Sequence, residues 1–313
     1  MLRAAPGYAG VMWRALVIVL VACKFPHGAP VVGDSGEIDM PNGDDAAADA
    51  VPGMDMQMPA DSAMLGPWSA PTLVRMPSSA EDDPTLTSDM LEMYFNRSND
   101  IYMMTRSSIG AAWSTPVLVT ELSSSTAADT TPEITGDGLI IFLASLRTGT
   151  EGNNDIWFST RNSRNDPWSA PVRVPELSTS DDDNCPAITD DGLAIVWNTP
   201  ANPEQLYTST RASKTSTWGA PVELTSLNTT ARELAGMMSQ DRLTIYFDSS
   251  RAGTEDLWVA TRASPTQPFQ APTPITELNT SSSDFDPWVS ADGRHMFFAS
   301  NRDGTTAIYE TSR

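Results

Sequence analysis

From Trp68 onward one phrase of about fifty residues is written five times, and this period constrains the fold more than any other feature. Its clearest mark is a turn aspartate at Asp89, Asp137, Asp191, Asp241 and Asp292, at intervals of 48, 54, 50 and 51 residues. Five residues before each stands Pro84, Pro132, Pro186, Gly236 or Pro287. After each comes a short apolar run: "LEMYF", "LIIFL", "LAIVW", "LTIYF" or "HMFF". A second run follows ("DIYMMTR", "DIWFSTR", "QLYTSTR", "DLWVATR", "AIYETSR") and closes on Arg106, Arg161, Arg211, Arg262 or Arg313. Seven residues after the first four of these arginines, Trp113, Trp168, Trp218 or Phe269 opens "WS.P" or a variant, followed by an alternating segment such as "VLVTEL". Each unit thus reads as four short strands separated by turn residues, and helical spacing is sustained nowhere. A period near fifty with four antiparallel strands per unit predicts an all-β fold, a five-bladed β-propeller.

The ends of the repeat predict how the ring closes. The fifth unit stops at Arg313 and lacks its "WS.P" strand, while a spare copy, Trp68-Ser69-Ala70-Pro71, precedes the first unit. The N-terminal strand is expected to complete the last blade, so that no sheet edge stays open.

The composite phrase "P..S.DG..(apolar)..S.R.G..D(I/L)(Y/W)..(T/S)R", best kept at Pro132–Arg161 and Pro287–Arg313, resembles the WD40-like repeats of the TolB propeller type. The resemblance covers 68–313 and implies fold rather than function, because propellers host many functions. TolB proteins carry an additional N-terminal domain. This chain has only a low-complexity stretch there, so a role in the Tol-Pal envelope system does not carry over.

The first residues read as a targeting segment. Arg3 and Arg14 precede the apolar stretch 15–22, which is too short to span a bilayer. "LVAC" ends it and resembles the bacterial lipobox, which implies a lipoprotein signal over 1–22 and lipidation at Cys23. Lys24 at the following position implies the outer membrane, facing either side. Residues 23–67 carry many carboxylates and no periodicity before Trp68, and are expected to form a disordered acidic tether. With Cys23 acylated, Cys185 has no partner for a disulfide and is expected to be a small buried hydrophobe.

The formal charge of −21 excludes a nucleic-acid partner, whose phosphates need Lys and Arg, and excludes docking on anionic lipid other than through the anchor. An envelope protein or a glycan remains as partner. The two histidines, His27 and His295, supply no His-based site, and there is no phosphate loop or nucleophile elbow.

Carboxylates carry what chemistry there is. Three residues before each Pro or Gly stands an acid, Glu81, Asp129, Asp183, Glu233 or Asp284, expected around one mouth of the channel. One reading pairs each with the arginine of the "S.R.G" turn, namely Arg97, Arg147, Arg251 and Arg302, as scaffold. The other makes them a ring that binds a cation or a polyhydroxylated ligand. The third unit departs from the pattern: Ala201 replaces the arginine, and its acidic entry, Asp181-Asp182-Asp183-Asn184, is the longest. A ligand site is therefore sought at Asp181, Asp182, Asp183, Asn198 and Glu204, with Trp197 or Trp288 as a stacking face. Such hard oxygen ligands suit Ca²⁺. The expected function is a lipid-anchored, non-catalytic binding module. The alternative is a glycoside hydrolase using carboxylates at the channel mouth.

Overall fold

The computed structural model describes residues 65–199 and 203–313. Cys23 and the stretches expected to form a signal segment and, up to residue 64, an acidic tether lie outside the described residues. Because each unit alternates apolar and polar residues over runs of about six, it forms short strands, and five four-stranded antiparallel sheets result. β1 (Thr72–Leu73) precedes the first complete blade. That blade holds β2 (Asp82–Leu86), β3 (Glu92–Arg97), β4 (Asp100–Thr105) and β5 (Val117–Leu118). The second holds β6 (Asp129–Ile134), β7 (Ile140–Ser145), β8 (Asp155–Thr160) and β9 (Val172–Arg173). The third holds β10 (Asn184–Ile188), β11 (Ala194–Thr199), β12 (Gln205–Thr210) and β13 (Val222–Glu223). The fourth holds β14 (Glu233–Met238), β15 (Thr244–Ser249), β16 (Asp256–Thr261) and β17 (Thr273–Pro274). In the fifth, β18 (Asp284–Val289), β19 (His295–Ser300) and β20 (Ala307–Ser312) pair in turn, and β1 adds on the far side of β20. The five innermost strands β2, β6, β10, β14 and β18 pack against one another in a closed circle. The chain is a five-bladed β-propeller whose last blade is finished by the N-terminal strand, as the spare "WS.P" copy predicts.

One arginine per blade ties the turn aspartate to the outer strand. Arg106 Nε donates to the Met90 carbonyl, Arg161 to Gly138, Arg211 to Gly192, Arg262 to Arg242 and Arg313 to Gly293, at 2.6–2.8 Å. Each acceptor residue has positive φ, 55–74°. The same guanidinium lies over the aromatic ring seven residues on, with Arg211 4.3 Å from the centre of Trp218. Arg313 has no residue seven on; its ring is Trp68, at 4.1 Å, so one stacking pair joins the two ends of the propeller. Ser69 N–H donates to the Ser312 carbonyl at 2.8 Å beside it.

The core lies between blades rather than within them. Tyr94 and Ile101 of the first blade pack with Ile134, Ile141 and Trp168 of the second, and four further clusters fill the other seams. A blade alone leaves these faces in water, so the ring is the smallest unit that buries them.

Candidate functional site

The repeat acids lie in the walls between blades, and all five are at most 1% exposed. Glu81 accepts from Arg97 and Arg75, Asp129 from Arg147, Glu233 from Arg251 and Asp284 from Arg302. None of them lines the central passage. The side chains that do line it stand two residues further on, because every innermost strand carries a β-bulge between its acid and its Pro or Gly. The bulge residues Asp83, Thr131, Cys185, Ala235 and Asp286 all adopt left-handed φ of 46–53°. A bulge re-aims its side chain, here into the channel.

Bulging also frees five backbone N–H groups, and a girdle of acceptors takes them up. Asp83 N–H donates to Asp286 Oδ2 at 3.2 Å, Cys185 N–H to Thr131 Oγ1 at 3.2 Å, Ala235 N–H to Asn198 Oδ1 at 3.1 Å and Asp286 N–H to Asp248 Oδ1 at 3.2 Å. The Asp83 carboxyl accepts from Thr131 N–H and closes the circle. The passage inside the girdle has a volume of about 40 Å³, little more than a water needs. Burial, helped by the neighbouring carboxylates, holds Asp83 and Asp286 well above the usual carboxylate range and pushes Asp248 up to about 7. Cys185 is therefore a channel residue rather than a core hydrophobe, and burial beside these acids raises its thiol well above its usual range.

The acids of the third blade do not converge on one site. Asp181 is exposed. Asp182 accepts from Asn154 N–H at 3.0 Å and so fastens the blade-two loop. Asp183, with Ala201 at the arginine's place in the sequence, accepts from Thr179 and from Trp197 Nε1, and burial pushes it up to about 6. Asn198 Nδ2 donates to the Glu233 carbonyl and belongs to the girdle. Glu204 is taken by Arg232 at 3.0 Å. Trp197, fully buried, has no face to offer a ligand: it fills the seam with its ring and satisfies Asp183 with its N–H. Among the described residues no group of three His, Cys, Asp or Glu is arranged to hold a metal ion.

An open cavity lies at the opposite mouth, where the turn aspartates gather. Its volume is about 490 Å³, in the range of ligand pockets. Met237, Ile188 and Trp288 form apolar wall, Asp190, Gln240, Asp241 and Asp292 belong to the rim turns, and Arg313 stands at one side. Glu133 and Trp288 line both this cavity and the narrow passage, so the two are continuous. Glu133, 7% exposed, has no Lys or Arg partner among the described residues; the Thr85 hydroxyl and the Ile188 N–H are its polar neighbours. Burial pushes it up to about 8, with Asp190 adding to the shift. Asp190 is exposed on its rim turn, accepts from the Ser88 hydroxyl at 3.4 Å, and is raised by partial desolvation of its carboxyl at the mouth. Three of the turn acids have cations, Arg164 on Asp89, Lys214 on Asp137 and Arg242 on Asp191. Asp190 and Glu133 have none among the described residues. These two were not legible as a site in the sequence. The one signal is a Glu directly after the Pro of "TPEIT", where the other units have Thr85, Ala187, Met237 and Trp288.

No protein-family model matches the chain, and no curated protein matches it. Solved structures do. The endo-arabinase of Bacteroides thetaiotaomicron is 13% identical, with 79% of this chain and 98% of that one covered at a TM-score of 0.58. An α-L-arabinofuranosidase of Podospora anserina is 12% identical over 79% of this chain and 96% of its own, at 0.56. A putative TolB of Agrobacterium tumefaciens is 17% identical over 73% of each chain, at 0.48. At these identities the likeness is one of fold.

Proposed function

We propose that the chain is a non-catalytic binding module that captures its ligand in the cavity at the turn-aspartate mouth. One observation carries this reading: a cavity of about 490 Å³ contains a buried carboxyl, Glu133, that no basic side chain among the described residues neutralises. Four of the five repeat acids are matched by arginine and the fifth, Asp183, by Thr179 and Trp197, whereas Glu133 lines an open cavity with no Lys or Arg partner among the described residues. The "LVAC" boundary at Cys23 supports an envelope lipoprotein, anchored by lipid alone, with an envelope protein or a glycan as ligand. Replacing Cys23 by Ser is expected to move the protein from the membrane to the soluble fraction; retention in the membrane would remove the anchor from the proposal.

A glycoside hydrolase is the second reading, favoured by the fold shared with an endo-arabinase and an α-L-arabinofuranosidase and by the channel carboxyls Asp83 and Asp286 with Asp248 beside them. The girdle argues against it. Those carboxyls accept backbone N–H groups, and a passage of about 40 Å³ admits no sugar ring. One experiment separates the two. Neutral oligosaccharides and basic and acidic peptides are titrated onto the full chain and onto Gln240→Trp, which crowds the mouth from an exposed position. Saturable binding that Gln240→Trp abolishes supports the module. Sugar release that Asp83→Asn abolishes supports the hydrolase, and binding indifferent to Gln240→Trp places the site elsewhere.

A further inference from the structure

We infer that the ligand is cationic: the mouth takes the ammonium or guanidinium head of a Lys or Arg side chain presented by a basic protein segment. The inference rests on the mouth reading above and adds the chemistry of the occupant. The cavity is amphipathic in the sense that a long basic side chain needs. Met237, Ile188 and Trp288 offer apolar wall to an alkyl stem, and Glu133 waits at the inner end as a carboxyl without a counter-charge. Above it Asp190 is the second acid without a cation. Arg313 does not neutralise the site, because its guanidinium is spent on Trp68, the Gly293 carbonyl and the Tyr246 hydroxyl.

A polypeptide fits better than a free amine because the acidity extends past the cavity. Asp241 and Asp292 line the rim with no salt bridge to Lys or Arg among the described residues, whereas Asp89 and Asp137 on neighbouring turns already hold Arg164 and Lys214. A segment carrying basic residues on either side of the inserted one meets Asp241 and Asp292, and the chain's charge of −21 steers it in.

The chemistry makes the proposal testable through protons. In the free protein Glu133 holds its proton up to about pH 8. A cation seated on it favours the ionised form, so binding near neutral pH must release a proton. The other ionisable groups facing the cavity are Asp190, Asp241, Tyr246, Asp292 and Arg313, with Asp83, Asp286 and Cys185 in the passage beyond. Asp190 is also raised above the ordinary carboxylate range, as are Asp83, Asp286 and Cys185 in the passage, so the released proton is assigned to Glu133 by its loss in Glu133→Gln and its retention in Asp190→Asn.

The test is calorimetric titration of the full chain with a Gly/Ser peptide carrying a central Lys-Arg-Lys run, in buffers of different ionisation heat. Spermidine and a neutral oligosaccharide are titrated in parallel. Expected are proton release on peptide binding, affinity rising several-fold from about pH 6 to about pH 8 and then levelling, and at least about a 30-fold loss in Glu133→Gln. Glu133→Gln is expected to fold normally, since the wild-type group is uncharged at neutral pH, and Asp190→Asn supplies an independent variant. Spermidine binding as tightly as the peptide would overturn the protein-segment occupant. Peptide binding unaffected by both variants and abolished by moderate salt would overturn the inference, leaving attraction to the rim alone. Binding of the oligosaccharide but not the peptide, still lost in Gln240→Trp, would overturn the cationic occupant and keep the mouth. Binding of neither would remove both.

Discussion

Asp129 and Asp183 occupy the same step of the repeat and are held in opposite ways. Asp129 is matched by Arg147; Asp183 is matched by Thr179 and Trp197 and titrates at about 6. Removing one partner of a buried ion pair leaves an uncompensated charge, so Arg147→Ala is expected to cost about 3 kcal/mol or more. Asp183→Asn removes a group whose folded pKa is raised. The stability such a group contributes is present in acid and lost as pH rises from about 4 through about 6, so the Asn variant is expected to equal or exceed the parent at pH 8. Urea midpoints at pH 8 check both; a large loss in Asp183→Asn would show that this carboxylate is needed in its charged form. The bulge residues offer a third check at this scale. Ala235 sits at φ 46° without glycine's freedom, and Ala235→Gly is expected to gain up to about 1 kcal/mol in the same assay.

At the scale of elements the two-residue strand β1 closes the ring. It brings little hydrogen bonding, but it carries Trp68 into the seam with Leu278, Val289 and Tyr309 and under Arg313. Trp68→Ala is expected to cost about 3–5 kcal/mol, comparable with Trp168→Ala in an interior seam. Removing residues 1–74 takes the whole strand and leaves β20 as an unpaired edge, which should drive self-association. Light scattering of that truncation decides: a stable monomer would mean that the closing strand is dispensable.

For the whole molecule, the raised carboxyls add up. Glu133 at about 8, Asp248 at about 7, and Asp83 and Asp286 well above their ordinary range all bind protons more tightly in the folded state than in the unfolded chain. With more protons bound when folded, stability must fall as pH rises from about 4 to about 8. The thermal midpoint is expected to drop by several degrees across that window, and Asp83→Asn, whose amide oxygen still accepts the Thr131 N–H, should flatten part of the slope. A midpoint that climbs over the same range would contradict the reading of the girdle as a proton-holding structure.

The amino-acid sequence by itself determined the strand count, the five blades and the manner of closure, because each depends on local periodicity and on counting motifs at the two ends. It also marked Glu81, Asp129, Asp183, Glu233 and Asp284 as a set, since they recur at one offset. What only the tertiary structure decided is where side chains point. A bulge adds one residue to the strand without altering the repeat's spelling, and it turns the residue before each Pro or Gly into the channel while the recurring acid stays in the wall. Glu133 and Asp190 are unremarked in their own blades, and become a pair only because blades two and three meet around one mouth. Matched or unmatched charge is a property of neighbours brought together by the ring, and linear spacing carries no record of it.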